Sequence, residues 1–122
     1  MLPGSAGGRS SSMQFAPGVS MAEDRHSILR MGNLLMLQER ERFLSKLFRM
    51  LDVTSLEGMR VFEAGCAGGY NLRLMVQWGA RPADVAGMDI DPAAVDHCLA
   101  RAPEIRVHAG SATEIPEPDV HF

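Results

Sequence analysis

The stretch that most constrains the fold is Val61 to Leu72, which reads VFEAGCAGGYNL. A short apolar run ends near the acid Glu63, a glycine-rich segment runs from Gly65 to Gly69, and a helical pattern follows. A strand, a tight glycine turn and a helix N-terminus together form the first unit of a nucleotide-binding α/β fold. The glycines let the backbone turn sharply and approach a ligand, and the positive end of the helix dipole faces that ligand.

Strands and helices are predicted to alternate along the second half of the chain. The predicted strands cover residues 60–64, 85–90 and 105–109, and the predicted helices cover residues 70–78 and about 91–102. Asp91 is the predicted N-cap of the second of these helices, with Pro92 at its first helical position. Short connections between alternating strands and helices imply a parallel sheet with right-handed crossovers. The predicted fold class is therefore α/β, a Rossmann-like doubly wound parallel sheet.

Composition and pattern divide the chain into three segments. Residues 1–22 hold Gly, Ser and Pro with few large apolar groups, so they are expected to be a disordered tail. Residues 23–55 are predicted to be an N-terminal helical segment, and residues 56–122 to be the α/β domain. A sheet of three strands, with the last three residues beginning a fourth, would leave an edge and a helix face uncovered. We therefore expect the sheet to be truncated after its third strand, and the chain to be the N-terminal part of a larger protein.

The N-terminal helix is predicted from an apolar stripe over residues 33–51. Residues of this stripe recur at steps of three and four, which is the spacing of one helix face. Its members are Leu34, Leu37, Glu41, Leu44, Phe48 and Leu51, of which Glu41 alone is polar. Asn33 is the predicted N-cap. The stripe is expected to pack against the sheet, and the alternative is that this helix covers a substrate pocket.

Charge and cysteine content exclude several classes of protein. Twelve basic and fifteen acidic residues give a net charge of −3, whereas a sequence-independent nucleic-acid binder needs a basic face. No stretch approaches the roughly 20 apolar residues of a membrane-spanning helix. Cys66 and Cys98 are too few for a disulfide framework and lack the spacing of a zinc site. We therefore expect a cytoplasmic protein that binds neither nucleic acid nor a metal.

The glycine segment departs from the dinucleotide-binding fingerprint. That fingerprint is GxGxxG, and counted from Gly65 its second and third glycine positions hold Ala67 and Tyr70. Glu63, two residues before the first glycine, suits a cationic ligand group better than a pyrophosphate. An NAD(P)-dependent oxidoreductase is therefore the less favoured alternative.

Three motifs in order resemble those of class I S-adenosylmethionine-dependent methyltransferases. The first motif of that family is an acid-x-Gly-x-Gly-x-Gly loop after the first strand. Glu63, Gly65, Ala67 and Gly69 match it, with alanine in place of the middle glycine. The second strand of the family ends in an acid that accepts hydrogen bonds from the ribose hydroxyls. Asp89 matches this acid, 20 residues after Gly69.

The resemblance extends over about residues 35–122 and includes a third motif. Ile90 matches the apolar residue that lies against one face of the adenine. The third strand of the family is often followed by Gly-Asp-Ala-x-x-Leu-Pro, and residues 110–116 here read GSATEIP. Ala112 keeps the frame of that motif, but Ser111 replaces the acid that contacts the adenine amine. The resemblance therefore implies cofactor binding that is weakened or adjusted.

The resemblance implies S-adenosylmethionine as the cofactor and assigns roles to individual residues. Glu63 would stabilise the ammonium side of the cofactor, directly or through water, whereas the alternative is that it caps nearby backbone N–H groups. Asp89 would accept hydrogen bonds from both ribose hydroxyls. Cys66 is interpreted mainly as a small filler in the turn. The predicted cofactor-binding residues are Glu63, Gly65, Cys66, Ala67, Gly69, Asp89, Ile90, Ser111 and Ala112.

The reaction that the resemblance implies is methyl transfer by in-line displacement to a small-molecule, sugar or lipid-like acceptor. In such a reaction the cofactor carries the activated group, and the protein supplies alignment and a dry pocket. No catalytic residue is assigned, since the four histidines are scattered along the sequence. The alternative is a non-catalytic fragment or subunit that keeps the fold, and Ser111 and the end of the chain at Phe122 favour it.

Overall fold

The computed structural model describes residues 25, 27–119, 121 and 122. The predicted disordered tail lies outside the described residues. The chain divides into two compact units, and the boundary in the sequence lies between Leu47 and Phe48. The elements are α1 (Met31–Met50), β1 (Val61–Ala64), α2 (Tyr70–Gln77), a 3₁₀ turn (Pro82–Asp84), β2 (Val85–Asp89), α3 (Pro92–Arg101) and β3 (Arg106–Ala109). The predicted alternation of strands and helices is therefore confirmed.

Helix α1 begins two residues earlier than predicted. The prediction of Asn33 as N-cap is wrong, because this residue lies inside the helix. Its amide Nδ2 donates to the carbonyl oxygens of Arg25, at 2.6 Å, and Ser27, at 2.9 Å. An N-cap side chain must accept a hydrogen bond from the helix, and here the asparagine is a donor instead. The packing of the apolar stripe of α1 against the sheet stays a prediction.

The sheet has three parallel strands in the order β1-β2-β3. Val85, Ala86 and Met88 of the central strand β2 are almost completely buried. Strands that are covered on both faces carry continuous apolar runs, as β2 does. The predicted α/β class with a parallel sheet is confirmed.

Helices α2 and α3 supply half of the remaining buried apolar residues. Leu72 and Met75 of α2 and Val95 and Cys98 of α3 are buried. The predicted start of α3 is confirmed, since Asp91 Oδ1 accepts a hydrogen bond from the N–H of Ala93 at 3.0 Å, with proline following the cap. A cap of this kind stabilises a helix by about 1 kcal/mol.

The segment after β3 returns to the sheet through polar and aromatic contacts. Glu117 lies 3.3 Å from His108 Nε2 and 3.5 Å from Arg106 Nε, both on β3. Burial alone would raise the pKa of Glu117, but the hydrogen bonds from His108 and Arg106 lower it below the ordinary value. At the end of the chain the rings of Phe62 and Phe122 are 5.4 Å apart. This end therefore contacts β1, without forming a strand at residues 121 and 122.

The described residues contain neither a membrane-spanning helix nor a metal-binding group of side chains. Across that part of the chain, no helix combines the length and the apolar character needed to cross a membrane. In the same residues, no three His, Cys, Asp or Glu side chains are grouped so that they could hold a metal ion.

Candidate functional site

A cavity of about 240 Å³ lies at the carboxyl ends of the three strands. In open parallel α/β sheets this edge is where ligands bind. The residues that line the cavity are Gly65, Met88, Asp89, Ile90, Gly110, Ser111 and Ala112. The fold thus brings five predicted cofactor-binding residues together at the carboxyl ends of the three strands, namely Gly65, Asp89, Ile90, Ser111 and Ala112.

The carboxylate of Asp89 joins the end of β2 to the glycine loop. Its Oδ2 accepts a hydrogen bond from the N–H of Ala67 at 2.9 Å, and its Oδ1 accepts one from the N–H of Asp91 at 2.9 Å. These bonds, from Asp91 first and then from Ala67, hold the pKa of Asp89 below its ordinary value. Each oxygen can still accept a further hydrogen bond, so an ionised acceptor pair faces the cavity.

The backbone of the glycine loop turns back over the end of β2. The N–H groups of Gly65 and Cys66 both donate to the carbonyl oxygen of Met88, at 2.8 and 2.9 Å. Gly65 has φ +75°, and a Cβ there would meet no atom within 4 Å, so the space beside it is open. Ala67 has φ +46°, in the left-handed region, where a non-glycine residue costs about 1 kcal/mol. The loop therefore keeps a glycine-like shape at the position where glycine is missing.

Two glycines allow the loop and its helix to pack closely on the core. Gly69 is the N-cap of α2 with φ +78°, and a Cβ there would overlap the Sγ of Cys98. Gly87, in the middle of β2, was missed by the sequence reasoning. A Cβ there would lie 2.8 Å from Leu72 Cδ1 and 3.1 Å from Cys66 Cβ. A glycine inside an apolar strand was the available signal for such a close approach.

Cys66 is placed in the core and does not line the cavity. It is 4% exposed, and its Sγ would lie 3.2 Å from a Cβ at Gly87. Burial is the main reason that its thiol pKa rises from 9.0 to about 11, with further contributions from Cys98, Glu63 and Asp89. This position fits the interpretation of Cys66 as a filler of the turn.

The thiols are expected to make stability fall at high pH. Burial also raises the pKa of Cys98, an effect that Arg73 opposes and Glu63 reinforces. Below pH 9.0 the thiols are protonated in both states, whereas between pH 9.0 and about 11 the unfolded chain alone loses the Cys66 proton. The free energy of unfolding should therefore decrease between pH 9.0 and about 11 by up to about 1.4 kcal/mol per pH unit because of Cys66, and Cys98 acts in the same direction. Urea unfolding at several pH values measures this slope, and Cys66→Ala should flatten it. An unchanged slope in Cys66→Ala would contradict the assignment.

Glu63 lies outside the cavity lining and pairs with a residue that the sequence reasoning missed. The Nδ2 of Asn71, in the first turn of α2, donates to Glu63 Oε1 at 2.6 Å. The available signal was an amide two residues into the helix that follows a strand-end acid. Glu63 is therefore anchored by a side chain of α2 as well as by its place on β1.

The remaining predicted residues of the lining differ in how they are held. Ser111 Oγ forms a hydrogen bond with Thr113 Oγ1 at 2.9 Å and accepts one from the N–H of Thr113 at 3.3 Å. The hydroxyl of Ser111 thus orders its own turn. Ile90 is 77% exposed beside the cavity. Covering such a side chain with a flat apolar ligand group would contribute about 1 to 2 kcal/mol.

The sequence profile of a family described as "Methyltransferase domain" matches residues 61–122, about half of the chain. The chain belongs to this family. The family predicted from the three motifs is thereby confirmed. The match covers β1 to the end of the chain and so includes the glycine loop, Asp89 and Ser111 of this methyltransferase domain.

Individual proteins also resemble parts of this chain. A protein of Mycolicibacterium smegmatis, described as a probable S-adenosylmethionine-dependent methyltransferase, is 40% identical over 62 residues, which are 51% of this chain and 23% of the relative. A solved structure of a TehB-like SAM-dependent methyltransferase from Corynebacterium glutamicum is 27% identical, with a TM-score of 0.47, over 68% of this chain and 48% of that one. A structure from Thermoplasma acidophilum is 23% identical, with a TM-score of 0.48, over 57% and 36% of the two chains. The methyltransferase domain thus spans about a quarter of the length of the curated relative.

Proposed function

We propose that this methyltransferase domain binds S-adenosylmethionine and serves the transfer of its methyl group to a small-molecule, sugar or lipid-like acceptor. The observation that carries the proposal is the position of Asp89. Its ionised carboxylate closes the glycine loop through Ala67 and borders the cavity at the ends of all three strands. A carboxylate beside a glycine loop is suited to a vicinal diol, because each oxygen accepts one hydroxyl.

The residues around the cavity fit the parts of such a cofactor. The open space beside Gly65 admits a ligand against the backbone, where a side chain would take up room. The exposed side chain of Ile90 offers an apolar surface for a base next to Asp89. Gly110, Ser111 and Ala112 border the same cavity from the end of β3. The ribose and adenine would therefore lie along the strand ends, with Glu63 toward the amino-acid part.

The chemistry proposed for the site is an in-line displacement. S-adenosylmethionine, when bound, supplies an electrophilic methyl group on a sulfonium. The domain would fix the position of that group through Asp89 and the loop backbone, and Ile90 would exclude water from one face of the base. Alignment of the acceptor is the remaining requirement, and none of the cavity-lining residues is assigned to it.

Isothermal titration calorimetry with S-adenosylhomocysteine tests the proposal, because this product of the reaction keeps every group of the cofactor except the methyl group and the sulfonium charge. We expect saturable binding of S-adenosylhomocysteine and S-adenosylmethionine, and none of NADH at the same concentrations. Binding of NADH without binding of either sulfur nucleoside would overturn the proposal in favour of an oxidoreductase. A labelled-methyl transfer assay then separates an active enzyme from a non-catalytic subunit that binds the cofactor without turnover.

A further inference from the structure

The side chain of Asn71 forms a hydrogen bond that the helix itself does not need. It is the second residue of α2, and its side chain reaches from the helix to the strand-end acid, where Nδ2 donates to Glu63 Oε1 at 2.6 Å. The N-cap of this helix is Gly69 and no side chain caps it, so Asn71 does not serve as a cap. Its amide is committed to the carboxylate instead.

The oxygen of the same amide, Oδ1, indicates that the hydrogen bond to Glu63 determines the orientation of the side chain. Asn71 Oδ1 is buried, and among the described residues it accepts no hydrogen bond. A buried acceptor of this kind costs about 1 to 3 kcal/mol, and such an atom in a folded protein calls for an explanation. Rotating the amide by half a turn would point Oδ1 at a carboxylate oxygen, which repels it. The amide therefore keeps the orientation in which Nδ2 donates to Glu63, although Oδ1 then accepts no hydrogen bond.

The chemical type of the residue also matters. An amide donor fixes the direction of a carboxylate without adding a charge, so its own contribution leaves the acid's attraction for a cation intact. A lysine or arginine at this position would compete with a cationic ligand group. Arg73, the nearby cation on α2, donates its Nη1 to the carbonyl oxygen of Gly68 at 2.7 Å.

We propose that Asn71 is a positioning residue that orients the carboxylate of Glu63 toward the ammonium group of the cofactor's amino-acid part. Asn71 thus acts through Glu63 and determines how strongly the site selects ligands that carry that group. The inference rests on the proposed function, and it adds to it a residue that sets specificity for the amino-acid part over the nucleoside part.

A comparison of two ligands tests the inference on the full chain. S-adenosylhomocysteine carries the ammonium group, whereas methylthioadenosine keeps the nucleoside and the sulfur but lacks the amino-acid part. By calorimetry, Asn71→Ala should weaken the binding of S-adenosylhomocysteine about tenfold and that of methylthioadenosine less than about twofold. In the Glu63→Gln background, Asn71→Ala should change neither affinity by more than about twofold, because the residue it positions no longer carries the charge.

Further variants guard against a purely structural effect. Asn71→Asp has nearly the same shape but replaces the amide donor with an acceptor, so it should displace the carboxylate of Glu63 and weaken the binding of S-adenosylhomocysteine about as much as Asn71→Ala does. Gln77→Ala removes an exposed amide from the same helix and should leave both affinities unchanged. Equal losses of affinity for the two ligands would overturn the proposed role of Asn71 and leave the proposed function standing. The same holds if the losses of affinity from Asn71→Ala and Glu63→Gln are additive. Binding of neither ligand by the unaltered protein would overturn both this inference and the proposed function.

Discussion

Replacing Asp89 with alanine is expected to weaken the binding of S-adenosylhomocysteine by at least about a hundredfold. Two hydroxyls would lose a charged acceptor, and each such hydrogen bond contributes about 1.5 to 3 kcal/mol, which amounts to a hundredfold or more in affinity. The loop would also lose an anchor, because the N–H of Ala67 donates to Asp89 Oδ2 at 2.9 Å. Asp89→Asn keeps the shape and one oxygen, so we expect a smaller loss of about tenfold.

The control for this prediction is the neighbouring carboxylate. Asp91→Ala removes an exposed acid whose side chain caps α3 through the N–H of Ala93 at 3.0 Å. It should lower the free energy of unfolding by about 1 kcal/mol and leave the affinity unchanged. Calorimetry and urea unfolding on the same samples separate the two effects. The assignment of Asp89 would fail if Asp91→Ala weakened binding as much as Asp89→Ala does.

The second large effect is expected at Gly69, where alanine should lower the free energy of unfolding by about 2 to 5 kcal/mol. Part of the loss, about 1 to 2 kcal/mol, comes from a side chain at φ +78°. The rest, about 1 to 3 kcal/mol, comes from overpacking, since the new Cβ would overlap Cys98 Sγ and lie 3.4 Å from Arg73 Nη1. Urea unfolding followed by circular dichroism measures the change.

Gly58 provides a matched control for the backbone contribution. Its φ is +75°, close to that of Gly69, but a Cβ there would meet nothing within 4 Å. Gly58→Ala should therefore show the conformational cost alone, about 1 to 2 kcal/mol. Adding Cys98→Ala to the Gly69→Ala variant should recover part of the lost stability, because it removes the atom that the new methyl meets. Equal losses at Gly58 and Gly69 would show that close packing on α3 is not what requires glycine.

Most of the fold was predictable because its signals are local. The boundaries of β1, α2 and α3 follow from an apolar run, a glycine turn and the pair Asp91-Pro92, each of which acts on its immediate neighbours. The error at Asn33 has a local cause as well. An asparagine side chain carries both a donor and an acceptor, so its identity does not tell whether it will cap a helix or bind back to the preceding turn.

The sequence by itself determined the family, the order of the elements and five residues that border the cavity. Spacing alone could not show that Ala67 donates to Asp89, 22 residues away, or that Asn71 holds Glu63. Nor could it show which side chains approach Gly87 in β2, namely Leu72 of α2 and Cys66 of the loop. These contacts join residues on different elements, and they form once the parallel pairing of β1 with β2 and the docking of α2 fix the distances. The tertiary structure therefore decided how the site is held, because side-chain geometry across elements depends on packing, whereas turns, caps and periodicity depend on neighbours in the chain.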